Sequence, residues 1–234
     1  MAETSARARL ILALVLAFGF ASVQGLAVLP LVMALSLGVV LAFGAVRVVL
    51  RRMRAPLVLV LALTVVLPLI SGSTVLAQIG PVALQLEGLQ AAALIAGRLL
   101  SIVAVTLALL ATLSPFDLVA GLRALRVPAL MTDLALLTLR YLDEVTAELR
   151  RAALARSLRG GMRGWRALPE HARGLATSLI RAQTRSERLW AAMRLRGYGL
   201  GAEAETPPLQ KFERLAITGA VIVALGVIWL DRIL

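Results

Sequence analysis

Two stretches of this sequence carry a leucine–arginine–glycine triplet near their ends, at residues 158–160 and 195–197. These triplets hold the best candidates for recognition chemistry. Residues 154–161 read LARSLRGG, and residues 189–199 read LWAAMRLRGYG. A guanidinium group carries a planar fork of donors that pairs bidentately with a carboxylate or with backbone carbonyls. Glycine directly after a helical run is typical of a left-handed helix cap. The pattern therefore predicts two helices that each present an arginine at the C-terminal tip.

The second tip holds one candidate arginine, whereas the first holds two. Arg159 has the same Leu-Arg-Gly surroundings as Arg196 and is slightly favoured, but Arg156 stays open as an alternative. An arginine at a helix C-terminus also stabilises the helix dipole by about 0.3–1 kcal/mol without any partner. Two such endings favour docking over this simpler explanation. The candidate docking residues are Arg156, Ser157, Arg159, Gly160, Arg196 and Gly197.

Helical stripes of apolar residues lead to both tips. The first stripe consists of Leu134, Leu137, Tyr141, Val145, Leu149 and Ala152, and the second of Leu175, Leu179, Ala182, Ser186, Leu189 and Met193. Steps of three and four residues indicate one face of a helix, and the second stripe is a heptad-like seam suited to packing against another helix. We expect each helix to bury this face along most of its length and to present arginine where the face ends.

The composition indicates the setting of these helices. The chain has 234 residues, of which 60% are hydrophobic and only 16% are charged, and long uncharged runs of this kind are typical of integral membrane proteins. It has no cysteine and one histidine, which excludes disulfides and a typical transition-metal site in this chain. The net charge of +12 fits basic cytoplasmic loops better than nucleic-acid binding.

The uncharged runs predict an all-α integral membrane helical bundle with about five spans and one cytoplasmic helical insertion. The first four spans lie in residues 1–113, and the fifth follows a linker at 203–208 within residues 203–234. Turns are expected at Gln24-Gly25 and Gly80-Pro81, and no strand pattern is evident. The expected spans are about 10–23, 26–46, 56–78, 88–113 and 213–230.

Residues 114–202 carry the cytoplasmic helices, and Ser114-Pro115 reads as a helix start with a serine N-cap. The basic N-terminus, the arginine cluster at 47–54 and residues 114–211 fall on one side when five spans are threaded, so all three are expected in the cytoplasm. The predicted surroundings are a lipid bilayer.

Three polar residues outside these tips also have expected roles. Arg98 lies well inside the fourth span, where an unpaired charge is costly, and we expect it to contact a carboxylate of the cytoplasmic helices or a helix end. Glu148 is expected to pair with Arg151 on the same helix. His171 is expected to be a solvated residue in the first turn of the second helix.

The stretches RYLDEVTAELRRAALARSLRG at 140–160 and LIRAQTRSERLWAAMRLRGYG at 179–199 resemble the transmembrane T-component of energy-coupling-factor (ECF) transporters. The similarity is closest to the cobalt/nickel-type (CbiQ-like) branch. It implies a bacterial inner membrane and a cytoplasmic helical coupling region at residues 114–202. It also implies that two ABC ATPase subunits, which bind the ATP, dock on the arginine tips of the coupling helices. It also implies a separate membrane subunit that binds the substrate, while this chain binds no cofactor. Uptake of cobalt or nickel is favoured, with biotin or another vitamin as alternatives.

Catalytic patterns are lacking, because no GxxxxGK[ST] phosphate loop and no Ser/His/Asp arrangement stands out. The chain is therefore expected not to be an enzyme. A membrane enzyme with a cytoplasmic site built from Glu144, Glu148 and His171 is the competing hypothesis, and a conventional ABC permease half is another.

Overall fold

The computed structural model describes residues 5–70, 75–79, 82–160, 164–198 and 210–233. The chain divides into two compact units, residues 1–125 with 207–234 and residues 126–206. The elements of the first unit are α1 (Ala6–Ala21), a 3-10 turn (Leu26–Val28), α2 (Leu29–Ala42), α3 (Val46–Arg52), α4 (Arg54–Ile70), β1 (Val75–Ile79), β2 (Val82–Gln85), α5 (Leu86–Leu110), α6 (Pro115–Ala124) and α9 (Lys211–Ile233). The second unit contains α7 (Ala129–Leu158), a 3-10 turn (Gly164–Ala167) and α8 (Leu168–Leu195).

The core of the first unit lies between α1, α2 and α5. Phe20 of α1, Val32 of α2, and Val105 and Leu109 of α5 are almost completely buried. Each such side chain contributes roughly 1.5–3 kcal/mol by leaving water, or less where lipid replaces water. Small residues bring the helices close together, since a Cβ at Gly97 would lie 2.6 Å from a methyl group of Leu29.

Helix α9 runs parallel to α1 and is tied to it at both ends. Near the start, the buried carboxylate of Glu213 accepts a hydrogen bond from the Ser5 backbone N–H at 2.7 Å. Near the end, Asp231 accepts from the N–H groups of Gln24 and Gly25 at 2.8 and 2.7 Å. The expected turn at Gln24-Gly25 is confirmed, and a carboxylate from the far end of the chain holds it.

Helix α5 runs antiparallel to α1. The Arg9 guanidinium near the start of α1 donates to the Thr112 hydroxyl, just beyond the end of α5, at 3.0 Å. At the other end of α1, Arg98 donates to the backbone carbonyl of Ala21. The contact of Arg98 with a helix end is therefore confirmed, and it lies level with the last residue of α1.

A two-stranded hairpin departs from the sequence expectation of helices alone. Strands β1 and β2 pair antiparallel, with Ile79 opposite Val82 and Ala77 opposite Leu84. Helix α4 accordingly ends at Ile70 and does not continue to residue 78 as expected for the third span. The strand propensity of this valine- and leucine-containing segment is expressed only because the two strands supply each other's backbone hydrogen bonds. The predicted turn at Gly80-Pro81 lies outside the described residues.

Two helices of the described chain, α5 and α9, are long and apolar enough to cross a membrane. The segments Leu26–Ala42 and Arg54–Pro68 are apolar but shorter. The arginine cluster expected as a loop after the second span is instead helical, forming α3 and the first turn of α4. Five spans stay a prediction, while the helical class is confirmed.

Helix α6 begins as the sequence predicts. Ser114 accepts a hydrogen bond from the Asp117 N–H at 3.1 Å, and Asp117 accepts from the Ser114 N–H at 3.3 Å, which completes a capping box. Gly121 of α6 is buried against Ala6 and Leu10 of α1. Helix α6, whose start at Ser114 was expected to open the coupling region at residues 114–202, thus belongs to the first unit. The predicted linker at 203–208 lies outside the described residues.

The second unit is a long helical hairpin. Helices α7 and α8 have 30 and 28 residues and run antiparallel. Within its described residues, Thr132 is the one buried residue of α7, and α8 has none. The unit consists of two exposed rods joined by side-chain contacts.

Candidate functional site

The two predicted arginine tips have the same backbone geometry. Arg159 ends α7 with φ −87° and ψ 12°, and Arg196 ends α8 with φ −90° and ψ 9°. Gly160 and Gly197 follow with φ of 79° and 78°, the left-handed region that favours glycine. Both arginine side chains are exposed, and neither forms an ion pair or side-chain hydrogen bond within the described residues. The two Leu-Arg-Gly triplets are thus structural equivalents.

Arg156, the other candidate at the first tip, is engaged inside the hairpin. Its guanidinium donates to the backbone carbonyl of Glu170 in the first turn of α8 at 3.0 Å and to the carbonyl of Ala152 at 3.3 Å. It lies against Gly174, where a Cβ would approach the guanidinium nitrogen to 2.7 Å. A notch of about 340 Å³ lies here, lined by Arg156, Glu170 and Gly174 together with Arg159, Arg173 and Thr177. Ser157 is exposed, and its hydroxyl donates to the Leu154 carbonyl at 2.8 Å.

The second tip is tied to the beginning of α7. The Tyr198 hydroxyl donates to a carboxylate oxygen of Asp133 at 2.6 Å, and the Tyr198 ring meets Trp190 edge to face at 6.4 Å. The Tyr198 N–H donates to the Met193 carbonyl at 3.0 Å and the Gly197 N–H to the Arg194 carbonyl, which forms a Schellman cap. The backbone on both sides of Arg196 is therefore ordered by its own cap and by the opposite helix.

An apolar cleft of about 430 Å³ lies between α7 and α8. The two predicted stripes meet along it, with Leu137, Tyr141 and Val145 from one helix and Leu189 and Met193 from the other. Neither stripe is buried along its length as expected, because Leu134 on α7 is 54% exposed and Leu175 and Leu179 on α8 are 57% and 70% exposed. Apolar periodicity predicts a face, but a pair of isolated helices does not bring enough surface together to cover it.

Ion pairs join the hairpin beside the cleft. Arg181 bonds Glu148 at 2.7 Å, and Arg185 reaches Glu144 at 3.0 Å and Glu148 at 3.7 Å. The expected pairing of Glu148 with Arg151 is corrected, since the close partners of Glu148 lie on the opposite helix.

The hydrogen bond from Arg181 lowers the pKa of the Glu148 carboxyl, and attraction to the nearby arginines adds to the effect, although partial burial opposes it. Glu144 and Glu148, proposed by the competing hypothesis as catalytic carboxylates, are thus bound to arginine. His171 is exposed in the first turn of α8, and its Nδ1 lies 2.7 Å from the Ala167 carbonyl. No cluster of three metal-ligating side chains occurs in the described part of the chain.

The first unit has the surface of a helical membrane protein. Val58 and Leu61 of α4 and Leu215, Ile222 and Trp229 of α9 are each at least two-thirds exposed. The three residues on α9 follow one another at intervals of seven and so lie along one face of that helix, and an exposed apolar face of this kind suits lipid. A family model described as CbiQ, cobalt transport protein, matches residues 3–208, and the chain belongs to this family. No curated protein matches the chain.

Membership makes the chain a membrane component of a transport system that works with other subunits, from a family of transporter components and not of enzymes. It confirms the family resemblance seen in the sequence. Two contacts that hold the tips were not predicted from the sequence: the packing of the Arg156 guanidinium against Gly174, and the hydrogen bond from the Tyr198 hydroxyl to the Asp133 carboxylate. A glycine inside an otherwise regular helical stretch was the one available signal for the first.

Proposed function

We propose that this chain is the transmembrane T-component of an ECF-type importer and that two ABC ATPase subunits dock on Arg159 and Arg196. The observation that carries this proposal is the matched geometry of the two exposed arginine tips on one helical hairpin. A guanidinium projecting from the end of a rod suits a groove lined by carboxylates or carbonyl oxygens. ATP is bound and hydrolysed by the partner subunits.

The hairpin then acts as a lever. Because α7 and α8 run antiparallel, the two tips lie at opposite ends of a rod about 42 Å long, given the 28 residues of α8 and about 1.5 Å per residue. Two ATPase subunits that approach each other on binding ATP would push on both ends. The exposed apolar side chains along the rod suit contact with membrane partners that receive this movement.

We place the chain in a bacterial inner membrane with five crossings by α1, α2, α4, α5 and α9, and with the N-terminus and residues 114–211 in the cytoplasm. The parallel packing of α1 and α9 supports this threading, because a first and a fifth crossing run in the same direction. Helix α1 has 16 residues, or about 24 Å, shorter than a hydrocarbon core of about 30 Å. Snorkelling arginines and local thinning of the bilayer accommodate such a mismatch.

The cargo that we favour is a divalent transition-metal ion, cobalt or nickel, because the matching family is described as a cobalt transport protein. The cargo would bind to a separate membrane subunit. The same role in a biotin or vitamin importer is the alternative, since the tips carry no information about the cargo.

Charge reversal at each tip tests the docking role. Arg159→Glu and Arg196→Glu should each abolish co-purification of the ATPases and metal uptake, while membrane insertion stays normal. The matched controls are Arg150→Glu and Arg188→Glu, which reverse an exposed arginine on the same helices at least two turns before the tips. If either tip variant keeps the ATPases and full uptake, or if the controls lose as much, the proposed docking role is wrong.

A further inference from the structure

We propose that the docking tips are held in place by two reciprocal latches, in which the end of each long helix bonds to the beginning of the other. At one end Arg156 bonds the Glu170 carbonyl, and at the other Tyr198 bonds Asp133. Arg156 and Tyr198 are positioning residues in this scheme, and Arg159 and Arg196 do the docking. The purpose of the latches rests on the proposed function, whereas their existence does not.

The first latch is a fitted seat for the Arg156 guanidinium. Glu170 and Gly174 are one turn apart on α8, so the carbonyl that accepts the hydrogen bond and the bare backbone that makes room for the guanidinium lie on one face. A Cβ at position 174 would lie 2.7 Å from one guanidinium nitrogen and 3.3 Å from its central carbon. Any side chain at this position would therefore displace the arginine.

The second latch uses an aromatic ring and a hydroxyl. The Tyr198 ring lies edge to face with Trp190 of its own helix, which directs the hydroxyl to Asp133 across the hairpin at 2.6 Å. Tyr198 is two residues from Arg196 and directly follows Gly197. Fixing Tyr198 therefore fixes the direction in which the tip leaves α8.

The latches matter because the hairpin has little else to set the distance between its tips. Within the described residues no side chain of α8 is buried, and an open cleft of about 430 Å³ separates the two helices. The ion pairs of Arg181 and Arg185 join the middle of the rod, and exposed ion pairs are weak constraints. The ends would fray without a bond to the opposite helix.

Spin labels on the intact chain in lipid nanodiscs test the latches without any partner. The sequence has no cysteine, so Leu158→Cys and Leu195→Cys introduce the only two labelling sites, at residues that are 79% and 90% exposed beside the docking arginines. We expect a narrow distance distribution for this labelled parent chain. Adding Gly174→Ala or Tyr198→Phe should broaden it at least twofold.

Both variants are chosen so that a broader distance distribution cannot result from unfolding of the helices. Alanine is a better helix former than glycine, so Gly174→Ala leaves α8 intact and removes only the seat. Tyr198→Phe keeps the ring against Trp190 and loses only the hydroxyl. The controls are Gly219→Ala, where a Cβ meets nothing within 4 Å, and Tyr141→Phe, which removes the other tyrosine hydroxyl of the hairpin. Unchanged widths in the two latch variants, or equal broadening in the controls, would overturn the proposal.

The assembled transporter separates positioning from docking at Arg156. If Arg156 positions the tip, Arg156→Ala and Gly174→Ala both keep the ATPases bound and both lower transport per ATP hydrolysed by a similar factor. If Arg156 docks directly, Arg156→Ala loses the ATPases but Gly174→Ala retains them, and the latch assignment fails. Failure of the proposed function would appear instead as ATPases retained by Arg196→Glu, and the spin-label distances would not depend on it.

Discussion

Substitution of Gly19 by alanine should separate α1 from α9. Gly19 is buried against α9, and a Cβ there would lie 2.7 Å from the Ala224 Cβ and 3.2 Å from its Cα. Ordinary carbon–carbon contacts are about 3.5–4.0 Å, so the helices must move apart by about 1 Å. The obstacle includes backbone, which no side-chain rotation can relieve.

The magnitude follows from two opposing contributions. Overpacking of this kind costs about 1–3 kcal/mol. Replacing glycine by alanine inside a helix returns about 0.5–1 kcal/mol, so the middle of the two ranges leaves a net loss in the free energy of unfolding of about 1 kcal/mol. For a chain of this size, 1 kcal/mol corresponds to about 2–4 °C in Tm. Gly19→Ala should therefore lower Tm by about 2–4 °C.

Thermal unfolding of the detergent-solubilised chain, followed by circular dichroism, measures this change. Gly38→Ala is the matched control, because Gly38 is also helical and its Cβ would meet nothing within 4 Å. Its Tm should stay the same or rise slightly. Adding Ala224→Gly to Gly19→Ala should recover part of the loss, as a double-mutant cycle. The packing argument is refuted if Gly19→Ala is as stable as the wild type, or if Ala224→Gly gives no recovery.

Two further predictions concern the carboxylates that join distant segments. Asp231→Ala should lower the free energy of unfolding by about 1–3 kcal/mol, because the N–H groups of Gln24 and Gly25 lose a charged acceptor. The Tm of this variant should fall below that of the control Arg232→Ala, and equal Tm values would contradict the role of the carboxylate. The pKa of Glu148 is lowered in the folded chain, so its contribution is complete above the ordinary glutamate pKa of about 4.3 and is lost as the pH falls through the lower folded value. The Tm difference between the wild type and Glu148→Gln should accordingly be constant from pH 7 to about pH 5 and shrink as the pH falls below the ordinary glutamate pKa, and a difference that grows on acidification would contradict this assignment.

Local sequence patterns predicted the helical class, the turn at Gln24-Gly25, the cap of α6 and the two arginine tips. These features depend on residues within a few positions of one another. A capping serine, a helix-ending glycine and a period of three to four residues act on the backbone regardless of what lies elsewhere in the fold. The equivalence of Arg159 and Arg196 was likewise visible, since each stands in the same triplet.

The pattern of apolar residues gave a wrong prediction where a helix and a strand satisfy it equally well. A run of uncharged residues is compatible with a helix or with a paired strand, and the hairpin of β1 and β2 forms because each strand supplies the other's backbone partners. The stripe on α8 indicated a face without saying whether this chain covers it.

Only the tertiary structure decided which polar groups meet. Glu213 bonds Ser5 across 208 positions of the chain, and Glu148 bonds Arg181 across 33 in place of its helical neighbour. Arg156 packs where it does because Gly174 lies opposite it in the hairpin and leaves room for the guanidinium. Spacing along the chain cannot specify such partners, because they are brought together by helix packing over distances that no local pattern records. The sequence alone therefore determined where arginines stand at helix ends, and the fold decided which of them are held and which are exposed.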